Sequence, residues 1–268
     1  MQSILDNESL IRISVFLGVF LIMACLEALK PRRSPSFERK KRWFANFGIL
    51  ILSAVLARLI LPWVPISIAL FAEENMLGLF NYIDFSSITS VILGIFILDL
   101  LIYLQHVVMH KLPILWRLHR LHHADLDYDV TTGIRFHPIE IILSLLYKMV
   151  IILVLGLDPV SVVIFEVILN GMAMFNHANY KLPDRLDRVL RLFVITPDVH
   201  RIHHSSIEDE TNSNYGFNIC WWDRLFGTYR AQPKLGHEQM EIGLSYFRDP
   251  TQLKLSKMLV QPFKSRTK

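Results

Sequence analysis

Charge is what this chain has least of. Only 19% of its 268 residues are Asp, Glu, Lys or Arg, against about a quarter in a typical soluble domain. An ordinary water-soluble globule is therefore a poor description of it. Cysteine is scarcer still. Cys25 falls inside the first apolar run and Cys220 in a distant polar region, so the two cannot form a disulfide framework. Nor does the N-terminus look like a cleavable signal peptide: Asp6 and Glu8 stand where a positive segment would be needed, and no small-residue cleavage site follows the first apolar run. That run is expected to remain as an anchor.

Hydrophobic residues make up 52% of the chain, the mean hydropathy is +0.37, and the excess is gathered into runs. Ile13 to Leu29, Phe44 to Leu61, Ile88 to Leu104, Ile139 to Leu157 and Val160 to Phe175 each approach the roughly 17 to 25 residues that cross a bilayer as helix. Trp63 to Ala72 is shorter and is interrupted by Pro62 and Pro65, which predicts a re-entrant or interfacial segment. The expected fold is all-α: a multi-pass transmembrane bundle of four to five spans carrying a cytoplasmic, histidine-rich helical cap. Its predicted parts are membrane anchor helices over 1–97, a histidine-box region over 98–230 that includes a hairpin at 139–175, and a cytoplasmic tail over 231–268.

Against this apolar background stand three histidine clusters: His106 and His110; His119, His122 and His123; and His200, His203 and His204. A lone histidine is usually a surface or satisfied core residue. Two copies of H-x-x-H-H and one of H-x-x-x-H are harder to assign to chance, because i, i+3 and i, i+4 spacings put imidazoles on one helix face. A tetrahedral zinc takes three or four protein ligands, whereas two six-coordinate ions with open positions need about eight to ten. The count favours two metals.

Topology allows the clusters to meet. The basic stretch Lys30-Pro-Arg-Arg, continued by Arg39-Lys-Lys-Arg42, joins the first two spans and is placed in the cytoplasm by the positive-inside rule. The chain crosses outward and back, so His106 and His110 emerge on that same side. The turn signal Gly156-Leu157-Asp158-Pro159 makes the last two runs a helical hairpin, which returns His177 and the third cluster to the side they left. Were 63–72 a further span, this parity would fail.

Polar residues inside spans extend the pattern, since intramembrane ionisable groups are costly and face the bundle interior by default. Asp99 and Tyr103 fall within about 60° of His106 and His110 on a helical wheel, and Glu166, Asn170 and His177 lie within about 40° of one another. His177 is thus a ninth candidate ligand. Asp99 and Glu166 are either acceptors for a ligand's second N–H or helix–helix glue, and Asp99 is expected to accept from a ligand histidine or Tyr103, directly or through water. Lys148 and Glu166 sit equally far from Leu157 and should pair. His137 could be a tenth ligand, a donor behind the ligands or a helix N-terminal residue, the second being preferred. His237 is expected at the surface.

Six stretches, namely Trp116-Arg-Leu-His-Arg-Leu-His-His123, Arg135-Phe-His-Pro-Ile-Glu140, Phe175-Asn-His-Ala-Asn179, Thr196-Pro-Asp-Val-His-Arg-Ile-His-His204, Asn214-Tyr-Gly216 and Trp222-Asp-Arg-Leu-Phe-Gly-Thr228, together resemble the fatty acid hydroxylase/sterol desaturase superfamily of membrane non-haem di-iron enzymes. The resemblance runs from about Asp99 to Tyr229, roughly half the chain. It implies two iron ions, dioxygen, and attack on a C–H bond of a lipid by hydroxylation or desaturation. It carries ligand roles to His106, His110, His119, His122, His123, His177, His200, His203 and His204. Some relatives have a further histidine four residues after the single one, where this chain has Lys181, leaving water or Asn179 to complete one metal.

Zinc lacks the redox couple that such chemistry needs, and neutral imidazole suits iron. The rivals are a membrane zinc hydrolase, which would leave about six histidines unused, and a non-enzymatic metal-binding or haem protein, against which the one-sided clustering speaks. The apolar runs and histidine boxes leave no room for a fused electron carrier, so a separate donor is expected. A net charge of +4 suits an acidic carrier or anionic lipid headgroups equally, and no nucleic-acid partner is expected.

Overall fold

The computed structural model describes residues 2–83 and 85–265 and contains no β-strand among them. Its principal helices are α1 (Glu8–Leu29), α2 (Arg39–Ile60), α3 (Pro65–Glu74), α4 (Ser87–Lys111), α5 (Pro113–His123), α6 (Pro138–Leu155), α7 (Pro159–Asn176) and α8 (Pro197–His203). Glu8–Leu29, Arg39–Tyr82, Ser87–Lys111, Pro138–Leu155 and Pro159–Asn176 are long and apolar enough to cross a bilayer. Large apolar side chains stand out of the bundle along them, among them Leu17 and Leu21 on α1, Ile51 and Val55 on α2 and Val150 and Val154 on α6. In water such surfaces would be a liability, whereas against lipid they are the expected finish.

The hairpin forms where the sequence signals it. Gly156 takes the left-handed conformation that ends α6, with φ 63°, and Asp158 accepts hydrogen bonds from Val160 N (2.7 Å) and Ser161 N (3.3 Å) to start α7 behind Pro159. Gly78 packs directly on this turn. A Cβ there would lie 2.1 Å from Gly156 N, and one on Gly156 would lie 2.4 Å from Leu77 O.

This contact resolves the short segment that the sequence reads as re-entrant or interfacial. Residue 78 lies at the hairpin tip, while Arg42 near the start of α2 reaches the opposite, histidine-bearing end through Asp125 (2.9 Å) and Asp129 (2.7 Å). Residues 39–78 therefore make one crossing, broken at Pro62 and Pro65, with α3 packed against α6 and α7 as its second half. The parity of the spans is kept.

The membrane core gathers Ala69, Leu98, Ile102, Ile152, Leu157, Val162 and Phe165 from α3, α4, α6, α7 and the hairpin turn. Gly94 lets α4 approach α7, since a Cβ there would meet Ser161 Oγ at 2.5 Å. At the histidine end the connections are bound tightly. Glu27 accepts from Val130 N (2.6 Å) and Asn179 N (2.8 Å), and Arg135 donates to Asn46 Oδ1 and Leu121 O, both at 3.0 Å. Arg42, one of the basic residues from which the sequence places this end in the cytoplasm, is thus a buried structural cation. The C-terminal region also folds back: Met258 packs with Ala45, Ile49 and Leu121, and Arg120 donates to Gln261 O (2.7 Å). It is a packed element, not a loose tail.

Candidate metal centre

The nine candidate histidines arrive from four places: His106 and His110 from the end of α4, His119, His122 and His123 from α5, His177 from the end of α7, and His200, His203 and His204 from α8 and its C-cap. Pro113 starts α5 with only Leu112 between it and the end of α4, and Pro197 starts α8. Both helices are short, and each exposes its i, i+3, i+4 imidazoles to one centre. There the rings separate into two groups, His106, His110, His119, His123 and His203, and His122, His177, His200 and His204. Within each group, one nitrogen per ring lies within 4.8 Å of all the others.

Hydrogen bonds fix the tautomers. His106 Nδ1 lies 2.6 Å from Tyr215 O, His203 Nδ1 2.7 Å from Ser213 O and His177 Nδ1 2.7 Å from Ala173 O. A carbonyl only accepts, so each Nδ1 carries the proton and each Nε2 presents a lone pair. His106 Nε2 and His203 Nε2 are nevertheless 3.1 Å apart. Two lone pairs at that distance repel each other, and the arrangement needs a cation between them. Among the described residues His204 has no hydrogen-bond partner on either ring nitrogen, and the buried Nδ1 atoms of His122, His123 and His200 have none.

Burial, and then the neighbouring imidazoles, favour the neutral, ligating form of six of these rings. The pKa of His203 is lowered to about 3 and that of His177 to about 4, and those of His122, His123, His200 and His204 fall well below the usual value. A donor set of converging imidazole nitrogens, four of whose rings have Nδ1 tied to an acceptor, fits two borderline metal ions.

The acceptor behind His119 is Glu140, whose Oε1 lies 2.6 Å from His119 Nδ1 while its buried Oε2 has no partner among the described residues. Glu140 is not among the residues expected from the sequence to hold a ligand. The signal is its place in Arg135-Phe-His-Pro-Ile-Glu140, in the first turn of α6 at the histidine end. The carbonyls of Ala173, Ser213 and Tyr215 have no side-chain signature to find.

Asp99 does not bond a histidine or Tyr103: its carboxylate accepts from Asn218 Nδ2 (2.6 Å) and Trp222 Nε1 (2.7 Å). Two helical turns separate it from His106, about 10 Å, and the loop over 212–228 fills that gap. Tyr103 joins the same loop through Thr228 Oγ1 (2.9 Å), which donates to Asp223 Oδ1 (2.6 Å). Asp223 in turn accepts from Tyr215 N (2.8 Å) and Gly216 N (2.9 Å). Both residues therefore act on His106 at one remove, by fixing the segment whose Tyr215 carbonyl holds it.

Three further expectations are corrected. His137 caps α6, accepting from Ile139 N at 3.2 Å and donating to Leu259 O at 3.2 Å, so it meets no ligand histidine. Asn179 exchanges hydrogen bonds with the Arg33 backbone at 3.0 and 2.8 Å and is not free to complete a metal. His237 is buried, with Nε2 3.7 Å from Asp198 Oδ2, because Arg33 draws its carbonyl in at 2.5 Å. Lys148 and Glu166 do pair, at 2.6 Å, and Arg12 joins them at 3.1 Å.

A cavity of ≈ 300 Å³ runs beside the centre. His106, His119 and Glu140 form one end, apolar side chains such as Ile102, Leu145, Leu169 and Phe217 the walls, and Arg12, Lys148, Glu166 and Asn170 the other end. Only the five-histidine group reaches it.

The description "Fatty acid hydroxylase" belongs to the family model that matches residues 91–228, just over half of the chain. The chain belongs to the fatty acid hydroxylase family. Among its curated relatives, the ornithine lipid hydroxylase OlsE of Rhizobium tropici is 28% identical over 82% of this chain and 67% of its own length. Human lathosterol oxidase is 27% identical over 73% and 65%, and human alkylglycerol monooxygenase 28% identical over 54% and 30%, respectively. The chain thus spans less than two thirds of the latter two. No solved structure matches it significantly. Family and fold together make it a multi-pass membrane protein with nine histidines gathered into two groups.

Proposed function

We propose that this chain is a membrane-bound, oxygen-dependent lipid hydroxylase or desaturase whose nine histidines hold two iron ions. The observation that carries this reading is the convergence of one ring nitrogen from each of nine buried histidines into two groups, five and four, the first of which opens on an apolar cavity between membrane-spanning helices. The named activities of the relatives, on ornithine lipid, alkylglycerol, lathosterol and cholesterol, support a lipid substrate here. A zinc hydrolase would use one group and leave the other without purpose.

A bound iron pair supplies the redox chemistry with which dioxygen breaks a C–H bond. The chain's own residues do the rest. Glu140 and the Tyr215 and Ser213 carbonyls hold the imidazoles of His119, His106 and His203 in the ligating tautomer. The apolar walls admit a lipid and exclude water from the reacting end. Hydroxylation takes one dioxygen, two electrons and two protons to one alcohol and one water, and desaturation takes the same inputs to one alkene and two waters. Either therefore calls for an external electron donor.

The histidine end also carries Arg32, Arg33, Arg39, Lys40 and Lys41, which supports a cytoplasmic orientation and offers an acidic carrier a docking face. Oxygen uptake by the purified protein with a reductant, measured alongside mass-spectrometric detection of a lipid gaining 16 or losing 2 mass units, on the order set by these stoichiometries, tests the reading. Uptake without lipid change sinks it.

A further inference from the structure

The polar end of the cavity is the least expected feature of the bundle. Arg12 on α1, Lys148 on α6, and Glu166 and Asn170 on α7 all line it, inside spans where charge is expensive and by default functional. The two Glu166 oxygens are divided between Lys148 Nζ (2.6 Å) and Arg12 Nη1 (3.1 Å), and Arg12 reaches Glu8 at 3.4 Å. Two cations and two carboxylates leave no net charge. Lys148 keeps ammonium protons beyond the one given to Glu166, and the Asn170 amide makes no side-chain hydrogen bond among the described residues. As helix glue the Lys148–Glu166 pair would be sufficient by itself. Neither Arg12 nor an unpaired amide facing a cavity is needed for it.

Resting on the function proposed above, we infer that Lys148, Glu166, Arg12 and Asn170 form an anchor for a small, uncharged group that both donates and accepts hydrogen bonds, a hydroxyl, at the far end of an otherwise apolar lipid. An anion would bring unbalanced charge into the membrane interior, and a bulky headgroup does not suit a cavity of ≈ 300 Å³, at the lower end of small-molecule pockets. The lipid enters hydroxyl first, with its apolar remainder towards His106 and His119.

The anchor also sets where attack falls. Glu140 is held against His119 (2.6 Å), and Lys148 lies eight residues further along the same helix, about 12 Å at 1.5 Å per residue. The C–H bond presented to the centre is thus remote from the hydroxyl, not adjacent to it.

The test is binding to the metal-loaded, full-length protein in nanodiscs, read by displacement of a radiolabelled probe and needing no turnover. The probes are cholesterol and hexadecanol, each against its methyl ether, with palmitate as the charged comparison. At least one alcohol should bind about tenfold or more tightly than its ether, because a site built around a hydroxyl penalises its loss, and the alcohol preferred identifies a sterol or an alkyl source. Asn170→Leu, which removes no existing hydrogen bond, should erase most of that preference. Ethers that bind as well as both alcohols, palmitate preferred to both, or a preference unchanged in Asn170→Leu would overturn the assignment. These outcomes do not depend on oxygenation, so they are separable from failure of the proposed function. Where turnover is seen, a new oxygen or double bond beside the original hydroxyl would also overturn it.

Discussion

Glu140 offers the sharpest separation between a metal centre and a cluster of merely buried histidines. Its carboxylate fixes His119 as the Nδ1–H tautomer at 2.6 Å and so aims the Nε2 lone pair at the His106, His110, His123 and His203 group. Glu140→Leu removes the acceptor and leaves the ring free to turn or to protonate on the wrong nitrogen. Loss of such a partner typically lowers metal affinity by about 10- to 100-fold, which is about 1.4 to 2.7 kcal/mol. Glu140→Gln keeps a carbonyl oxygen that accepts from Nδ1–H and should lose less than Leu. Competition with a calibrated chelator, read by elemental analysis, measures this directly. Half of the bound metal should leave Glu140→Leu at lower chelator concentration than in the wild type, because the four-histidine group does not touch Glu140. Unchanged retention in Glu140→Leu, or equal loss from both variants, would refute the tautomer account.

His203→Ala should strip metal from the five-histidine group, whereas His237→Ala should leave metal content unchanged and lower the melting temperature, since His237 is a buried packing residue; elemental analysis and thermal unfolding distinguish the two. Metal-free protein should lose stability as pH falls below about 6.5. The folded pKa of His203 is depressed to about 3, so the unfolded chain binds more protons between those values. The stability that His203 contributes is full above the unfolded pKa and falls by about 2 kcal/mol at pH 5, which melting curves from pH 8 to 5 would show. Gly78→Ala should destabilise the bundle by about 1 to 3 kcal/mol or more, because φ is 88° and the added Cβ meets Gly156 N; a melting temperature like the wild type's would show that the hairpin tip yields. Asp99→Asn places an amide against the Asn218 and Trp222 donors and should cost about 1 to 3 kcal/mol of stability in thermal unfolding, with metal affinity in the chelator competition lowered less than in Glu140→Leu.

Hydropathy and periodicity reveal the spans, the hairpin and the one-sided placement of the histidine clusters because each is a local property of chain length and spacing. The broken crossing at Pro62 and Pro65 is legible as a break but not as a continuation, since its second half is identified only by Gly78 meeting Gly156 across the bundle. The same limit applies to Asp99. Its helical register correctly turns it inward, yet what it meets is a loop 119 residues away in sequence. His137 and Asn179 carry the chemistry of ligands, but His137 is used as a helix cap and Asn179 as a clamp on the Arg33 backbone. Glu140 shows the converse: a residue in plain view within a motif, whose partner is decided by how α6 crosses α5.

The central claim is that two iron ions sit on nine histidines, and metal stoichiometry with Mössbauer spectroscopy of protein grown on ⁵⁷Fe tests it most directly. The account predicts about two non-haem iron atoms per chain with nitrogen-rich coordination, falling together with oxygen-dependent lipid modification in His203→Ala. A single zinc per chain that supports full activity, with no iron bound, would contradict it.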